Sequence, residues 1–239
     1  MNKSLTALGL SLALVGTAHA ANWGYEGNHG PEHWEEFASE CAQGKNQSPI
    51  DIQSAVQAEL AKLELDYNGK AISLTNNGHT LQTSLEGDNN LLVDGKSFNL
   101  KQFHFHTPSE NHVDGKSYPL EAHYVHADEQ GNLAVVAVFF EEGDANPALT
   151  KLLDKVPAKD SNVTISAPFD ASALIPSEKD YYRFNGSLTT PPCSEGVRWL
   201  VLKDPQTISA EQIATFEQAM GENNRPVQPL NARLILTKQ

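Results

Sequence analysis

The stretch Leu133-Ala134-Val135-Val136-Ala137-Val138-Phe139-Phe140 is apolar at every position. Successive side chains on a β-strand point to opposite faces, so a strand built from these residues needs cover on both sides. The run therefore predicts the central strand of a sheet packed front and back. The rest of the chain supplies neighbours for it. Turn signals recur at Asn68-Gly69, Asn77-Gly78, Asp94-Gly95, Asp114-Gly115 and Gly131-Asn132, where left-handed or tight backbone is easiest. Short β-like runs lie between and beyond them at 72–75, 81–85, 91–93, 98–106, 120–126 and 197–202. Helix signals are few. Asn146-Pro147 offers a cap followed by a first-turn proline, with Leu149, Leu152, Leu153 and Val156 as the apolar stripe. Ser209 and Gln212 form a capping box ahead of Ile213, Phe216 and Met220, and Gly221 closes that helix. With no repeat and no plausible linker, this predicts one mostly β domain: a large central sheet with a few peripheral helices.

Residues 1–20 read as a secretory leader. Lys3 supplies the positive start, 5–15 the apolar stretch, and Ala18-His19-Ala20 the cleavage site. A membrane anchor is the alternative, but a span takes about 20 apolar residues. The expectation is a soluble, exported chain of residues 21–239. Acidic residues outnumber basic ones, 30 to 17, for a net charge of −13. That balance argues against nucleic acid and anionic membrane surfaces as partners. The only cysteines, Cys41 and Cys193, have neither CxxC nor CxxH spacing, which excludes the common cysteine-based zinc modules. Export makes them a natural disulfide pair; two buried free thiols are the alternative.

Chemistry is concentrated in Gln102-Phe103-His104-Phe105-His106 and Glu121-Ala122-His123. Strand parity puts His104 and His106 on one face and the two phenylalanines on the other. If the second segment is a neighbouring strand, His123 meets the pair at one point. A lone strand histidine is ordinarily a satisfied polar residue, but two imidazoles buried side by side are costly unless something binds them. Three neutral imidazoles with an open fourth position describe a catalytic Zn2+ site. Gln102 and Glu121 each precede a histidine by two residues on the same face, where they could take its other ring N–H. His29, His33, His112 and His126 have no such context, and His126 should point away from the metal by parity.

These residues, together with Trp23-Gly24-Tyr25, Gly30-Pro31-x-x-Trp34, Gln47-Ser48-Pro49-Ile50-Asp51-Ile52, Asn76-Asn77-Gly78-His79, 187–192 and 224–231, are similar in kind and order to the α-class carbonic anhydrases. The chain resembles their exported bacterial branch over nearly all of its expected mature length. The resemblance implies an α-carbonic anhydrase-like fold, a twisted, mainly antiparallel sheet of about ten strands. It implies reversible hydration of CO2 to bicarbonate and a proton, with zinc on His104, His106 and His123. It makes Thr189 the residue that accepts a hydrogen bond from zinc-bound hydroxide and donates one from its own hydroxyl to Glu110, and His79 the proton shuttle. Val125, on the face of His123, suits the wall of an apolar CO2 pocket, and by resemblance Val135, Leu188, Thr190 and Trp199 complete it. From residue types alone, Thr189-Thr190-Pro191-Pro192 would be an ordinary turn and His79 an ordinary loop histidine. Cys41 and Cys193 fit the disulfide of exported members. Thr107-Pro108, where animal members have Trp-Gly, and a shorter segment before Glu110 imply a more open cleft. A periplasmic location and a homodimer are further expectations of the resemblance.

Three other readings fit less well. An acatalytic binding module on the same fold would typically have lost a zinc histidine, and all three are present. A zinc buffer would favour looser His/Asp clusters. A different zinc hydrolase would want a carboxylate base near the metal, and HExxH is absent.

Overall fold

The computed structural model describes residues 23–238; the leader expected at 1–20 lies outside them. One thirteen-stranded sheet organises the chain. From edge to edge its main path runs Ser161–Asp170, Lys70–Asn76, Leu81–Glu86, Lys96–His106, Leu120–Ala127, Leu133–Glu142, Glu195–Leu202, Tyr181–Ser187, Leu236–Lys238, Val56–Ala58. Glu64–Tyr67 and Asn89–Val93 extend it beside Lys96–His106, and Gln206–Ile208 pairs with Leu133–Glu142. All seven strands read from the sequence are present.

The wholly apolar run is where its composition demands. Leu133–Glu142 pairs antiparallel with Leu120–Ala127 and parallel with Glu195–Leu202. The sheet is mainly antiparallel, with this parallel pair near its middle. Ala134, Val136, Val138 and Phe140 face the larger core, beside Phe103, Phe105, Tyr124 and Leu200. Val135, Ala137 and Phe139 face a second core with Ile50, Phe184, Trp199 and Val201. Two-sided burial of one strand thus separates the molecule into a back layer and a front layer.

Helices close the back layer. Ala210–Met220 begins at the expected capping box, with both reciprocal bonds made, and stops at Gly221, whose φ of 67° suits glycine. Its Phe216 ring lies 4.9 Å from that of Phe105. Asn146 caps Pro147–Leu152 by accepting from Ala148 and Leu149, but this helix is shorter than its apolar stripe. Leu153 and Val156 fall beyond it, and Val156 is 38% exposed. Pro157 follows and disfavours helical backbone at the residue before it.

Two substantial strands were not legible. Ser161–Asp170 is an edge strand whose pairing with Lys70–Asn76 is broken by a register shift between Thr164 and Phe169, so no regular alternation announces it. Tyr181–Ser187 contains Asn185-Gly186, a pair that resembles a turn. Gly186 is there for space, since a Cβ would fall 2.1 Å from Ser48 Oγ and 2.9 Å from the Trp199 ring. Cys41 and Cys193 are disulfide-bonded, joining the first helical segments to the turn after Tyr181–Ser187. The free-thiol alternative is thereby excluded. Among the described residues no helix is long and apolar enough to cross a membrane.

Candidate metal centre

The pairing of Lys96–His106 with Leu120–Ala127 sets His104 opposite His123, His106 opposite Glu121 and Gln102 opposite Val125. Directly paired residues share a face, so the three histidines converge on the front layer. Each offers a ring nitrogen, and these atoms lie within 4.8 Å of one another. Ring centroids are 4.5 Å apart for His106 and His123, 5.0 Å for His104 and His106, and 5.4 Å for His104 and His123. Burial pushes all three histidines below the ordinary imidazole range, His104 and His123 most strongly. They are neutral, as ligation requires.

Two of the three outer ring nitrogens are held by hydrogen bonds. His104 Nδ1 lies 2.8 Å from Gln102 Oε1, and His106 Nδ1 lies 2.8 Å from the Asn223 carbonyl oxygen. His123 Nε2 is 2.9 Å from Glu121 Oε1, off the line of a hydrogen bond. Glu121 is anchored in turn: its Oε2 accepts from the backbone N–H of Glu110 and of Asn111, and its Oε1 from Asn111 Nδ2, each at 2.8 Å. What is left over is informative. His106 Nε2 is buried and has no hydrogen-bond partner. A buried polar atom without a partner is costly and calls for an occupant. Three neutral imidazoles with inward-facing nitrogens suit a borderline-soft divalent ion such as zinc.

The apolar wall follows from register. Val125 pairs with Val135, Val135 with Trp199, and Trp199 with Phe184. That row crosses four strands one step along the face from His123. Trp199 stands edge-on to the His123 ring at 4.9 Å and donates from Nε1 to the Ser187 carbonyl at 3.0 Å. Leu188 packs on the same cluster. Thr189 and Thr190 follow on a turn closed by Leu188 N–H to Ser194 O and Cys193 N–H to Thr190 O. The disulfide therefore anchors this turn to the chain's first segments. Thr189 is buried, and its side chain favours the ionised form of Glu110, although Glu110 Oε2 has no hydrogen bond. Burial raises the Glu110 carboxyl to about 8 against the pull of the Arg225 N–H, which donates to Oε1 at 2.9 Å, and of Thr189.

His79 stands apart from the three convergent histidines. It is half-buried, its ring stacked on Trp23 at 3.9 Å between centroids. His126 points to the opposite face, as parity requires.

Three residues of this neighbourhood were not singled out in the sequence. Asn223 takes the His106 ring on its backbone oxygen, accepts from Thr107 N–H, and donates from Nδ2 to the carbonyls of His79 and Phe105. Asn111 links Ile50 N–H to Glu121. Buried Arg225 donates to Gln47 Oε1, Ser48 O and Cys41 O. Apart from the Asn111–Glu121 bond, these contacts each span more than 60 residues of sequence, where no local spacing signals them.

A sequence model of the eukaryotic-type carbonic anhydrases matches residues 29–239. A carbonic anhydrase of Pectobacterium carotovorum is 48% identical over 236 residues, covering 96% of this chain and 97% of that protein. One of Neisseria gonorrhoeae is 45% identical over 246 residues, covering 98% of each. Among solved structures, the α-carbonic anhydrase of Photobacterium profundum superposes with a TM-score of 0.89 at 57% identity, covering 90% of this chain and all of that one.

Proposed function

The chain belongs to the eukaryotic-type, or α-class, carbonic anhydrase family and is a carbonic anhydrase, and from that premise we propose a zinc-dependent, reversible hydration of CO2 to bicarbonate and a proton. The observation that carries the proposal is the buried His106 Nε2, without a protein partner, inside a cluster of three neutral imidazoles.

His104 and His106 would hold the ion through Nε2, since Gln102 and Asn223 occupy their Nδ1 atoms. His123 would use Nδ1, since its Nε2 faces Glu121. The ion would supply Lewis-acid chemistry, making water a nucleophile at neutral pH. The protein's own groups do the rest. Val125, Val135, Leu188, Thr190 and Trp199 present a mostly apolar wall on which CO2, with no hydrogen to donate, displaces water at little cost. Thr189 orients the attacking oxygen by accepting a hydrogen bond from it, and Glu110 fixes Thr189 by accepting a hydrogen bond from the Thr189 hydroxyl. His79 receives the proton released by the reaction and passes it to solvent, a task suited to a group that titrates near neutrality. The Cys41–Cys193 disulfide supports an exported setting, and resemblance to the exported bacterial members makes the periplasm our reading of it.

Stopped-flow CO2 hydration with zinc analysis of parent and His106→Ala tests this. The parent should carry about one zinc per chain and turn over rapidly, with both lost in the variant. A zinc-loaded but inactive parent would sink the catalytic reading.

A further inference from the structure

Two turns meet at His79, and the sheet register forces the meeting. Ser161, the first residue of Ser161–Asp170, pairs with Asn76, the last residue of Lys70–Asn76. In an antiparallel pair, whatever precedes the one strand lies beside whatever follows the other. Lys159 and Asp160 are thus set against Asn77, Gly78 and His79. The contact is close: a Cβ on Gly78 would lie 3.1 Å from Lys159 Cε and 3.1 Å from Asp160 Oδ1. Gly78 has a φ of +84° and Asp160 one of +60°, so both turns are sharply closed where they touch.

The two charges share a groove of ≈ 490 Å³ with the His79 ring and with Trp23, on which that ring stacks. Other titratable groups line the same groove. Tyr25, Glu26 and His29 come from the first segment, and Glu222 from the residues after Ala210–Met220. Burial keeps the Tyr25 hydroxyl neutral; Glu26, His29 and Glu222 line the groove from other elements, whereas Lys159 and Asp160 lie against the turn that carries His79.

We infer that Lys159 and Asp160 are positioning residues of opposite sign for proton release, Lys159 driving the proton off His79 and Asp160 retaining it. The inference rests on the reading of His79 as the proton relay. Apart from burial, these two charges act on His79 in opposite directions, Lys159 lowering its proton affinity and Asp160 raising it. A relay must both accept a proton and surrender it, so a balanced pair of neighbours suits the task better than either charge alone. Neither residue touches the reacting atoms. Both are exposed on a turn, so substituting them leaves the fold intact.

The test uses the zinc-loaded mature enzyme and its Lys159→Gln and Asp160→Asn variants. The His79 ring is titrated by NMR, its signal assigned by loss in His79→Ala. Lys159→Gln should shift the midpoint up and Asp160→Asn should shift it down. Both shifts should shrink at 1 M salt, where the screening length is about 3 Å. The pH midpoint of kcat should follow in each case, with kcat/KM for CO2 unchanged. Midpoints that stay put, or move the same way in both variants, would overturn the inference even if His79→Ala slows turnover. Opposite shifts with no effect of His79→Ala on kcat would establish the charge control and overturn the relay reading instead.

Discussion

His123 and His126 lie three residues apart on Leu120–Ala127, equally buried, and face opposite layers of the sheet. Burial pushes both below the ordinary imidazole range. What separates them is the use of their nitrogens. His126 lies 2.7 Å from the Tyr67 hydroxyl through Nε2 and 3.3 Å from the Ala134 carbonyl through Nδ1. Nδ1–H donates to the carbonyl, Nε2 accepts from the tyrosine, and nothing is left over. On the front layer, the ring of His123 lies 4.5 Å from that of His106, whose inner nitrogen has no protein partner. Burial and proton affinity do not distinguish a ligand from a structural histidine on this strand. The unfilled nitrogen in a convergent group does.

The strongest way to break that contrast is to remove each histidine in turn. His123→Ala should abolish zinc retention and CO2 hydration together, and its melting temperature should no longer rise with added zinc. The parent's should, since ligand at a thousandfold excess over Kd adds about 4 kcal/mol to the folded state. His126→Gln should keep its zinc and its activity and lose about 1–3 kcal/mol, because the Tyr67 hydroxyl is left poorly paired. Zinc loss in His126→Gln would show that the two layers are not independent.

The contrast also has a pH signature. The His126 imidazole, lowered to about 4 in the fold, titrates near 6.5 once unfolded. Its neutral form is the one the fold accommodates, so the associated stability is fully present above pH 6.5. It is lost as pH falls from 6.5 through 4, by up to about 3 kcal/mol. Urea titrations of the zinc-loaded protein at pH 7 and pH 4.5, for parent and His126→Gln, measure it. The variant should show a flatter acid limb; an unchanged limb would mean that other groups control acid unfolding.

These layers were not equally legible. Strand parity alone put His104 and His106 together and sent His126 to the back, because alternation is a local property of extended chain. The wholly apolar 133–140 run announced the centre of the sheet for the same reason. Parity placed Val125 on the face of His123, but its row with Val135 and Trp199 needed something more, the register between distant strands, and those two entered only through resemblance to a family. Asn223 and Arg225 were missed because their work depends on which backbone atoms the finished fold brings to them. Tyr181–Ser187 was missed in part because a glycine required for close approach, such as Gly186 beside Ser48 and Trp199, carries no strand signal in the sequence.

The finest test of the contrast concerns the outer nitrogens, where His104 and His123 depend on different kinds of partner. Glu121 is fully buried and holds the backbone of Glu110 and Asn111 as well as facing His123. Glu121→Gln replaces one acceptor oxygen by a donor amide among donors, so it should weaken zinc binding about 100-fold and destabilise the metal-free protein too. Gln102 is half-buried, and its side chain holds only the His104 ring. Gln102→Ala should therefore cost about tenfold in zinc affinity and leave metal-free stability within about 0.5 kcal/mol of the parent. Competition with a chromophoric chelator gives the first quantity, and denaturant unfolding of the chelated protein gives the second. Equal losses of metal-free stability in the two variants would mean that Gln102 is part of the fold's support and not simply a rein on one ring. A loss of affinity confined to Gln102→Ala would mean that the 2.9 Å approach of Glu121 to His123 serves the Glu110 segment more than the metal.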